Sequence, residues 1–290
     1  MVVAPIDPGG RVKGLVGHLP DGLKRLVIGG SRRFGWELSR HGLVRASAAE
    51  GGYLPCPSNR YLTLAPWLAD PFRRRFERIG PLTTVSPDRC YMLEALARHC
   101  AGLGRDFAEC GVLGGGTAVL LAEVLRERAS SEPRLHLFDT FEGMPAAAER
   151  DPSGHQAGDF GTTSLAQVRS ELGPYPNVVF HPGTIPQTLA AVQGHRFSFV
   201  HVDVDLYEST RDCLRFFYPR IVPGGMLVCD DYGFPLYERS ARLAVDEFFE
   251  GRPEDVIVLR SGQCFVIKPA PSDLPHAQTA ARRFGTAVTG

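Results

Sequence analysis

Four aspartates fall in two short clusters, His201-Val202-Asp203-Val204-Asp205 and Asp230-Asp231, each closing an apolar run. Runs such as FSFV and GMLVC read as buried strands, so these carboxylates stand at strand ends. If the two strands lie side by side, four carboxylates converge, and so much like charge needs a cation or strong pKa shifts. An oxygen donor set without paired Cys or His suits Mg2+ better than zinc, with Asp203, Asp230 and Asp231 as the metal ligands. Asp205, directly before LYEST, fits equally a ligand or the N-cap of the following helix. A second constellation lies upstream. Glu109-Cys110-Gly111-Val112-Leu113-Gly114-Gly115-Gly116-Thr117 sets a glycine cluster between a strand and a helix, where backbone can approach a ligand closely. Asp139 closes the next strand, RLHLFDT, and an acid about 20 to 30 residues beyond a glycine loop is placed for vicinal ribose hydroxyls. Together the two indicate a nucleoside-containing cofactor.

The basic residues narrow the chemistry. Lys+Arg and Asp+Glu number 32 each, so the net charge is zero, and no basic surplus favours nucleic acid or an anionic membrane. The only lysines are Lys13, Lys24 and Lys268. A central site therefore has no lysine base, Schiff base or phosphate-binding lysine. The glycine loop is neither a strict GxGxxG nor a GK[ST] phosphate loop. Seven scattered cysteines without CxxC suit reduced thiols better than a disulfide framework or zinc site. No apolar run reaches the length of a membrane span and no secretory signal is evident, so a cytoplasmic protein is expected.

The elements that must position these residues follow from the alternation between 105 and 268. DFAECGV, RLHLFDT, NVVFHPG, FSFVHVDVD and GGMLVCDD read as strands, each followed by a helical stretch. Five such units imply a parallel, doubly wound α/β sheet. DVIVLRS and QCFVIKP, separated by Gly262, read as a terminal hairpin adding a reversed strand at one edge. Before this region, LAPWLADPFRRRFERIG and SPDRCYMLEALARHCAG read as helices, the second with Ser86 as N-cap and Pro87 at its first position. The expected organisation is an N-terminal extension over 1–75, irregular or helical, a catalytic domain over 76–270 and a polar tail over 271–290.

AECGVLGGGT, LHLFDTFEGMP, FVHVDVDLYESTRDCLRFFYPRIVPGG and LVCDDYG together resemble the macrocin O-methyltransferase family, over about residues 80–268. The resemblance implies a class I S-adenosylmethionine-dependent methyltransferase fold. That fold is Rossmann-like, with a seven-stranded, mostly parallel sheet and an antiparallel C-terminal hairpin, and here an N-terminal lid. It implies Mg2+-dependent O-methylation of a sugar hydroxyl on a natural product, in antibiotic or secondary-metabolite biosynthesis, and a homo-oligomer (dimer or tetramer). Carried onto this sequence, Glu109, Gly111, Gly115, Thr117, Asp139, Gly183 and Asp203 bind the cofactor. Asp203 also binds the metal and serves as general base, with Asp230 and Asp231 completing the coordination. Valine replaces the usual glycine between Asp203 and Asp205.

Other residues compete for roles. His155, His181 and His201 are alternative bases, each read as structural: His201 inside a buried strand, His181 ending a strand near the cofactor, His155 in a loop. Tyr207 and Tyr232 flank the aspartate motifs and could line the acceptor cleft or pack on the sheet edge. The long polar loop 142–161 reads as a lid or binding element. A catechol is the alternative acceptor. A nicotinamide-dependent oxidoreductase would need a Tyr/Lys or His pair, and a degenerate binding subunit would not need the full carboxylate set.

Overall fold

The computed structural model describes residues 65–270 apart from 129–132 and 153, together with four short strands upstream. The expected tail over 271–290 and most of the expected lid over 1–75 lie outside the described residues. The chain divides into two units, meeting between Arg74 and Arg75. In the first, β1 (Trp36–Ser39) pairs antiparallel with β2 (Gly42–Arg45), and β3 (Tyr53–Pro55) with β4 (Leu62–Leu64). An irregular or helical extension was the sequence expectation. Runs of three and four residues are too short to reveal a two-residue period, which is why the strands escape detection.

The second unit is built on a seven-stranded sheet. Its strands are β5 (Asp106–Cys110), β6 (Leu135–Asp139), β7 (Val178–Pro182), β8 (Phe197–Val202), β9 (Ile221–Cys229), β10 (Ile257–Val258) and β11 (Cys264–Ile267). Their spatial order is β10-β11-β9-β8-β5-β6-β7. The pairs β5–β6, β6–β7, β5–β8 and β8–β9 are parallel, while β11 runs antiparallel to both β9 and β10. The reversed strand therefore lies one place in from the edge, and the two-residue β10 forms the edge itself. The mostly apolar centre of the sheet reflects burial on both faces, which parallel strands require. Glu109, His136, Ser198 and His201 are the polar residues buried within it.

The helices are α1 (Phe72–Ile79), α2 (Pro87–Ala101), α3 (Gly116–Arg128), α4 (Leu165–Leu172), α5 (Tyr207–Phe217) and α6 (Leu243–Phe249). Alternation along the strands sends Ala108, Cys110, Phe138, Val200 and Val202 into one core with Cys213, Leu214, Phe217, Val245 and Phe249 of α5 and α6. Phe107, Glu109, Phe199 and His201 face the other way. Ser86 does occupy the N-cap position of α2 with Pro87 behind it, but its hydroxyl donates to Asp88 Oδ1 at 2.5 Å and caps no amide. The helix read over 237–251 opens instead as a 3-10 turn (Pro235–Tyr237) and a π-turn (Glu238–Arg242) before α6.

A buried ion network ties α2 and α3 to the segment that precedes them. Arg75 pairs with Glu94 and lies 3.5 Å from Glu123; Arg78 pairs with Glu123, and Arg98 donates to Glu94 at 2.7 Å and Glu127 at 2.6 Å. Tyr175 donates to Glu123 Oε1 at 3.0 Å. Glu123 is 4% exposed, so its removal leaves a buried phenol and an arginine short of a partner. Glu123→Ala is expected to lower unfolding free energy by about 2–3 kcal/mol, and Glu127→Ala, at the solvent side, by under about 0.5 kcal/mol. Urea unfolding midpoints of the two variants measure the difference.

Gly111 fixes the approach of β5 to β8. Its φ is +84°, and a Cβ there would fall 1.7 Å from the Asp203 carbonyl oxygen. Gly111→Ala is therefore expected to cost about 3–5 kcal/mol or to prevent folding, read as soluble yield and thermal midpoint.

Candidate active site

The crossover from β5 to β6 on one side and to β8 on the other opens a cleft beyond the carboxyl ends of the strands, where ligands of such sheets bind. A cavity of ≈ 380 Å³ fills it. Gly111, Thr117, Asp139, Gly183, Asp203, Asp230 and Asp231 all line it. The two constellations read from the sequence thus share one space. Glu109 and Gly115 do not line it.

At one end, the glycine loop is held by Asp139. Asp139 Oδ2 accepts from the amides of Val112 at 2.7 Å and Leu113 at 3.2 Å, and its Oδ1 accepts from Phe141 at 2.8 Å. The Gly183 amide donates to the Asp139 carbonyl at 2.9 Å, which brings the end of β7 to the same corner. The glycines themselves answer to close backbone packing. A Cβ on Gly114 would meet the Leu82 carbonyl oxygen at 2.7 Å, and one on Gly116 the Ile79 carbonyl oxygen at 2.8 Å. Gly115, at φ +89°, faces Val168 of α4.

At the other end stand the aspartates. Because β8 and β9 are neighbours, Asp203 and Asp205 meet Asp230 and Asp231 as expected. Behind them is a fully buried chain: His201 Nδ1 lies 2.9 Å from Glu109 Oε1, and His201 Nε2 lies 3.6 Å from Asp230 Oδ1. Burial opposes charge on His201, but the carboxylates of Asp230 and Glu109 facing its two nitrogens outweigh it and raise its pKa to about 10. Glu109 is consequently a buried counter-charge for an imidazolium rather than a wall of the cavity. Arg89, from the first turn of α2, pairs with Asp230, and Gln263 donates to Asp230 Oδ1 at 2.8 Å. Burial would raise the Asp230 pKa; the bonds and charges of His201 and Arg89 hold it low instead.

The remaining carboxylates lack such support. Burial, then the charges of Asp230 and Asp231, push the Asp203 pKa well above the carboxylate range. Asp231 is raised likewise by burial and by Asp205 and Asp230, and Asp205 chiefly by burial. Among the described residues the cluster sets five acids, counting Glu109, against Arg89 and His201 as its two bases. Carboxylate oxygens and the His201 ring of the His201–Asp203–Asp230 group lie within 4.8 Å of one another. A protonated imidazole has no lone pair to offer a metal, so the available donors are carboxylate oxygens. Such a set, with uncompensated negative charge, fits a hard divalent cation.

Several roles fall differently from the sequence reading. Asp205 caps nothing. The N-cap position of α5 is Leu206, and the Tyr207 amide donates instead to Asp151 Oδ1 at 2.7 Å, from the long loop. Asp205 has φ +58° and lines the cavity. Tyr207 is buried with its hydroxyl on Glu247, and Tyr232 donates to Asp246 at 2.8 Å; neither lines the cavity. Tyr237 does, stacked on His155 with ring centroids 5.8 Å apart and its hydroxyl 3.3 Å from His155 Nε2. His181 stacks on Phe138 and turns to His136, away from the cavity. In the long loop, Gly143, Met144, Pro145 and Phe160 form part of the wall.

Arg89 and Tyr237 carry no motif. A positional signal existed for Arg89: a helix running back to the start of β5 begins near the strand's carboxyl end, so its first turn faces the cleft.

Comparison with known proteins places this geometry. Residues 84–255 match the model of the macrocin-O-methyltransferase (TylF) family. The 8-demethyl-8-(2,3-dimethoxy-alpha-L-rhamnosyl)-tetracenomycin-C 4'-O-methyltransferase of Streptomyces olivaceus is 35% identical over 141 residues, 45% of this chain and 54% of that protein. The mycinamicin III 3''-O-methyltransferase of Micromonospora griseorubida is 29% identical over 170 residues, 52% and 65% of the two chains. The chain thus spans less than two thirds of the length of these curated relatives. The solved O-methyltransferase NovP is similar with a TM-score of 0.58 at 25% identity, covering 65% of this chain and 83% of that one. The calicheamicin methyltransferase CalS11 shares the fold, with a TM-score of 0.55 at 18% identity over 69% of this chain and 93% of that one. The sheet is that of a class I S-adenosylmethionine-dependent methyltransferase, and since the family model spans the glycine loop, Asp139 and all four aspartates, the chain belongs to the macrocin-O-methyltransferase (TylF) family.

Proposed function

We propose that this protein is an S-adenosylmethionine- and Mg2+-dependent O-methyltransferase acting on a sugar hydroxyl of a glycosylated natural product. One observation carries the reading: a single cavity joins the Asp139-held glycine loop to the carboxylate cluster, so a nucleoside cofactor and a cation-bound acceptor would meet inside it. The names of the relatives support the acceptor class, since one methylates the 4' oxygen of a rhamnosyl-tetracenomycin and another the 3'' oxygen of mycinamicin III.

Asp203, Asp230 and Asp231 would hold the cation. When bound, S-adenosylmethionine supplies an electrophilic methyl group, and Mg2+ supplies the positive charge that makes a nearby hydroxyl more acidic. The protein's own groups do the rest. Gly111 and Gly183 line the cavity beside Asp139, whose carboxylate can accept from ribose hydroxyls while holding the loop. Asp203, which lines the cavity, accepts the acceptor proton. Arg89 and His201 keep Asp230 ionised. Asp205 is the second candidate base, because it lines the cavity and is freed from helix capping.

Calorimetric titration with S-adenosylmethionine tests the first half. Asp139→Asn is expected to weaken binding about 10- to 100-fold, the worth of hydrogen bonds to a charged acceptor, and to lower the thermal midpoint as well, because the same carboxylate accepts from three loop amides. Wild-type protein that binds no cofactor would overturn the proposal.

Radiolabelled methyl transfer to glycosides and catechols, with Mg2+ or with EDTA, tests the second. Transfer to a glycoside that EDTA abolishes is the expected result. Asp203→Asn should lose both Mg2+ binding and at least about 100-fold in kcat. Asp205→Asn that keeps Mg2+ binding but shows the same kcat loss would move the base to Asp205.

A further inference from the structure

A second group of metal-binding side chains lies far from the cleft. Asp106 opens β5, His136 sits in β6, and His195 precedes β8. His195 Nδ1 is 2.7 Å from Asp106 Oδ2, and His136 Nε2 is 3.3 Å from the same oxygen. The three donor atoms all lie within 4.8 Å of one another. His136 and Asp106 share the sheet face of Ala108 and Phe138, opposite to that of Glu109 and His201. A strand's length, on the order of 15 Å, separates them from the aspartate cluster. The methyl-transfer reading uses none of these residues.

We propose that Asp106, His136 and His195 form a binding site for a borderline divalent transition metal, Zn2+ being the ion that their donor set fits. Two imidazole nitrogens and one carboxylate oxygen are zinc's ordinary ligands in sites that keep a fourth position open. Ligand atoms around a tetrahedral Zn2+ at about 2.0–2.1 Å stand roughly 3.4 Å apart. The 2.7 and 3.3 Å spacings therefore need only small side-chain shifts.

The surroundings already orient the ligands. His136 Nδ1 faces His181 Nε2 at 3.0 Å, so an Nδ1–H donated there leaves Nε2 with its lone pair towards the site. Asp106 Oδ1 accepts from the Arg134 amide at 2.9 Å, which turns Oδ2 inward. The His195 amide donates to the Val192 carbonyl at 3.0 Å, anchoring that residue's backbone to the turn before it. Partners of this kind, behind both an imidazole and a carboxylate, are what holds metal ligands in place. His136 is 2% exposed, whereas the His195 side chain is 36% exposed and offers a path for the ion and room for a water ligand. Binding would replace the two contacts to Asp106 with metal bonds, displace any proton on His136 Nε2, and clasp β5, β6 and the approach to β8.

The test uses tag-free protein, stripped with EDTA and returned to buffer containing millimolar MgCl2. Titration with CoCl2 followed by visible absorption, and with ZnCl2 by calorimetry, reads stoichiometry and coordination. The expected result is one ion per chain, with d–d bands of nitrogen and oxygen ligation and no thiolate charge-transfer band. Zinc should raise the thermal midpoint by about 5 °C. His195→Gln, at a half-exposed position, should lower affinity at least about 100-fold while the far-UV spectrum stays unchanged. His181→Phe should lower it about 10- to 100-fold, and Asp203→Asn should leave it unaltered. Binding that survives His195→Gln, that vanishes in Asp203→Asn, or that shows sulfur ligation from the buried cysteines would overturn the proposal, as would no binding at all.

Discussion

The cleft depends on a charge chain that never meets water. Glu109, His201 and Asp230 are all fully buried, Glu109 on β5, His201 on β8 and Asp230 directly after β9. Taking three charged groups out of water is costly, and the cost falls only if each finds an opposite partner at short range. Glu109 at 2.9 Å and Asp230 at 3.6 Å make the imidazolium the stable form of His201. That cation, with Arg89, fixes Asp230 as a carboxylate. Its neighbours Asp203, Asp205 and Asp231 are left to share the remaining imbalance, and their raised pKa values follow. Burial and mutual repulsion raise three of the four aspartates, while His201 and Arg89 keep the fourth, Asp230, ionised. Groups whose environments push their pKa values apart in this way are the ones that acid–base chemistry can use.

The glycine loop shows a second constraint, steric rather than electrostatic. Its glycines could be explained by ligand approach alone, yet Gly111, Gly114 and Gly116 each have a backbone carbonyl of another segment where a Cβ would stand. Close packing of Asp203, Leu82 and Ile79 against the loop draws the end of β8 and the chain before α2 around the cavity mouth. Asp139 then occupies the loop's free amides. The same residues that make room for a ligand also hold the walls together, so substitutions there act on stability before they act on binding.

Legibility in the sequence followed this division. The alternation of strands and helices, the pairing of β8 with β9 and the convergence of four aspartates are consequences of local pattern and topology, and all were readable. The displacement of β11 from the edge was not, because a hairpin signal such as Gly262 fixes that two strands pair and leaves open which of them joins the sheet. Asp205 looked like a cap because capping is judged from the residues on either side, whereas the Tyr207 amide took its acceptor from Asp151, more than fifty residues away. Tyr207 and Tyr232 stood beside the aspartates in sequence, but strand and helix direction sent both hydroxyls to α6 carboxylates. Tyr237 reached the cavity because the 3-10 and π-turns before α6 break the regular helix that the sequence suggested. Proximity along the chain is a poor guide wherever a turn decides direction.

The absence of lysine from the centre of the chain now has a structural counterpart. The cation that enters the carboxylate cluster is Arg89, held by Asp230, Ser86 and Thr84 and lying 5.1 Å from the Phe234 ring centroid. A lysine there could lose its proton in such a buried setting and act as a base; a guanidinium cannot. Arg89 can therefore hold charge but not move a proton. His201 is committed to its imidazolium form by two acids and has no lone pair to lend. Under the proposed methyl transfer, proton acceptance among the described groups at this end of the cavity would fall to Asp203, Asp205 or Asp231. Burial and the mutual repulsion of the carboxylates raise their pKa values, while the charges of Arg89 and His201 work against that rise.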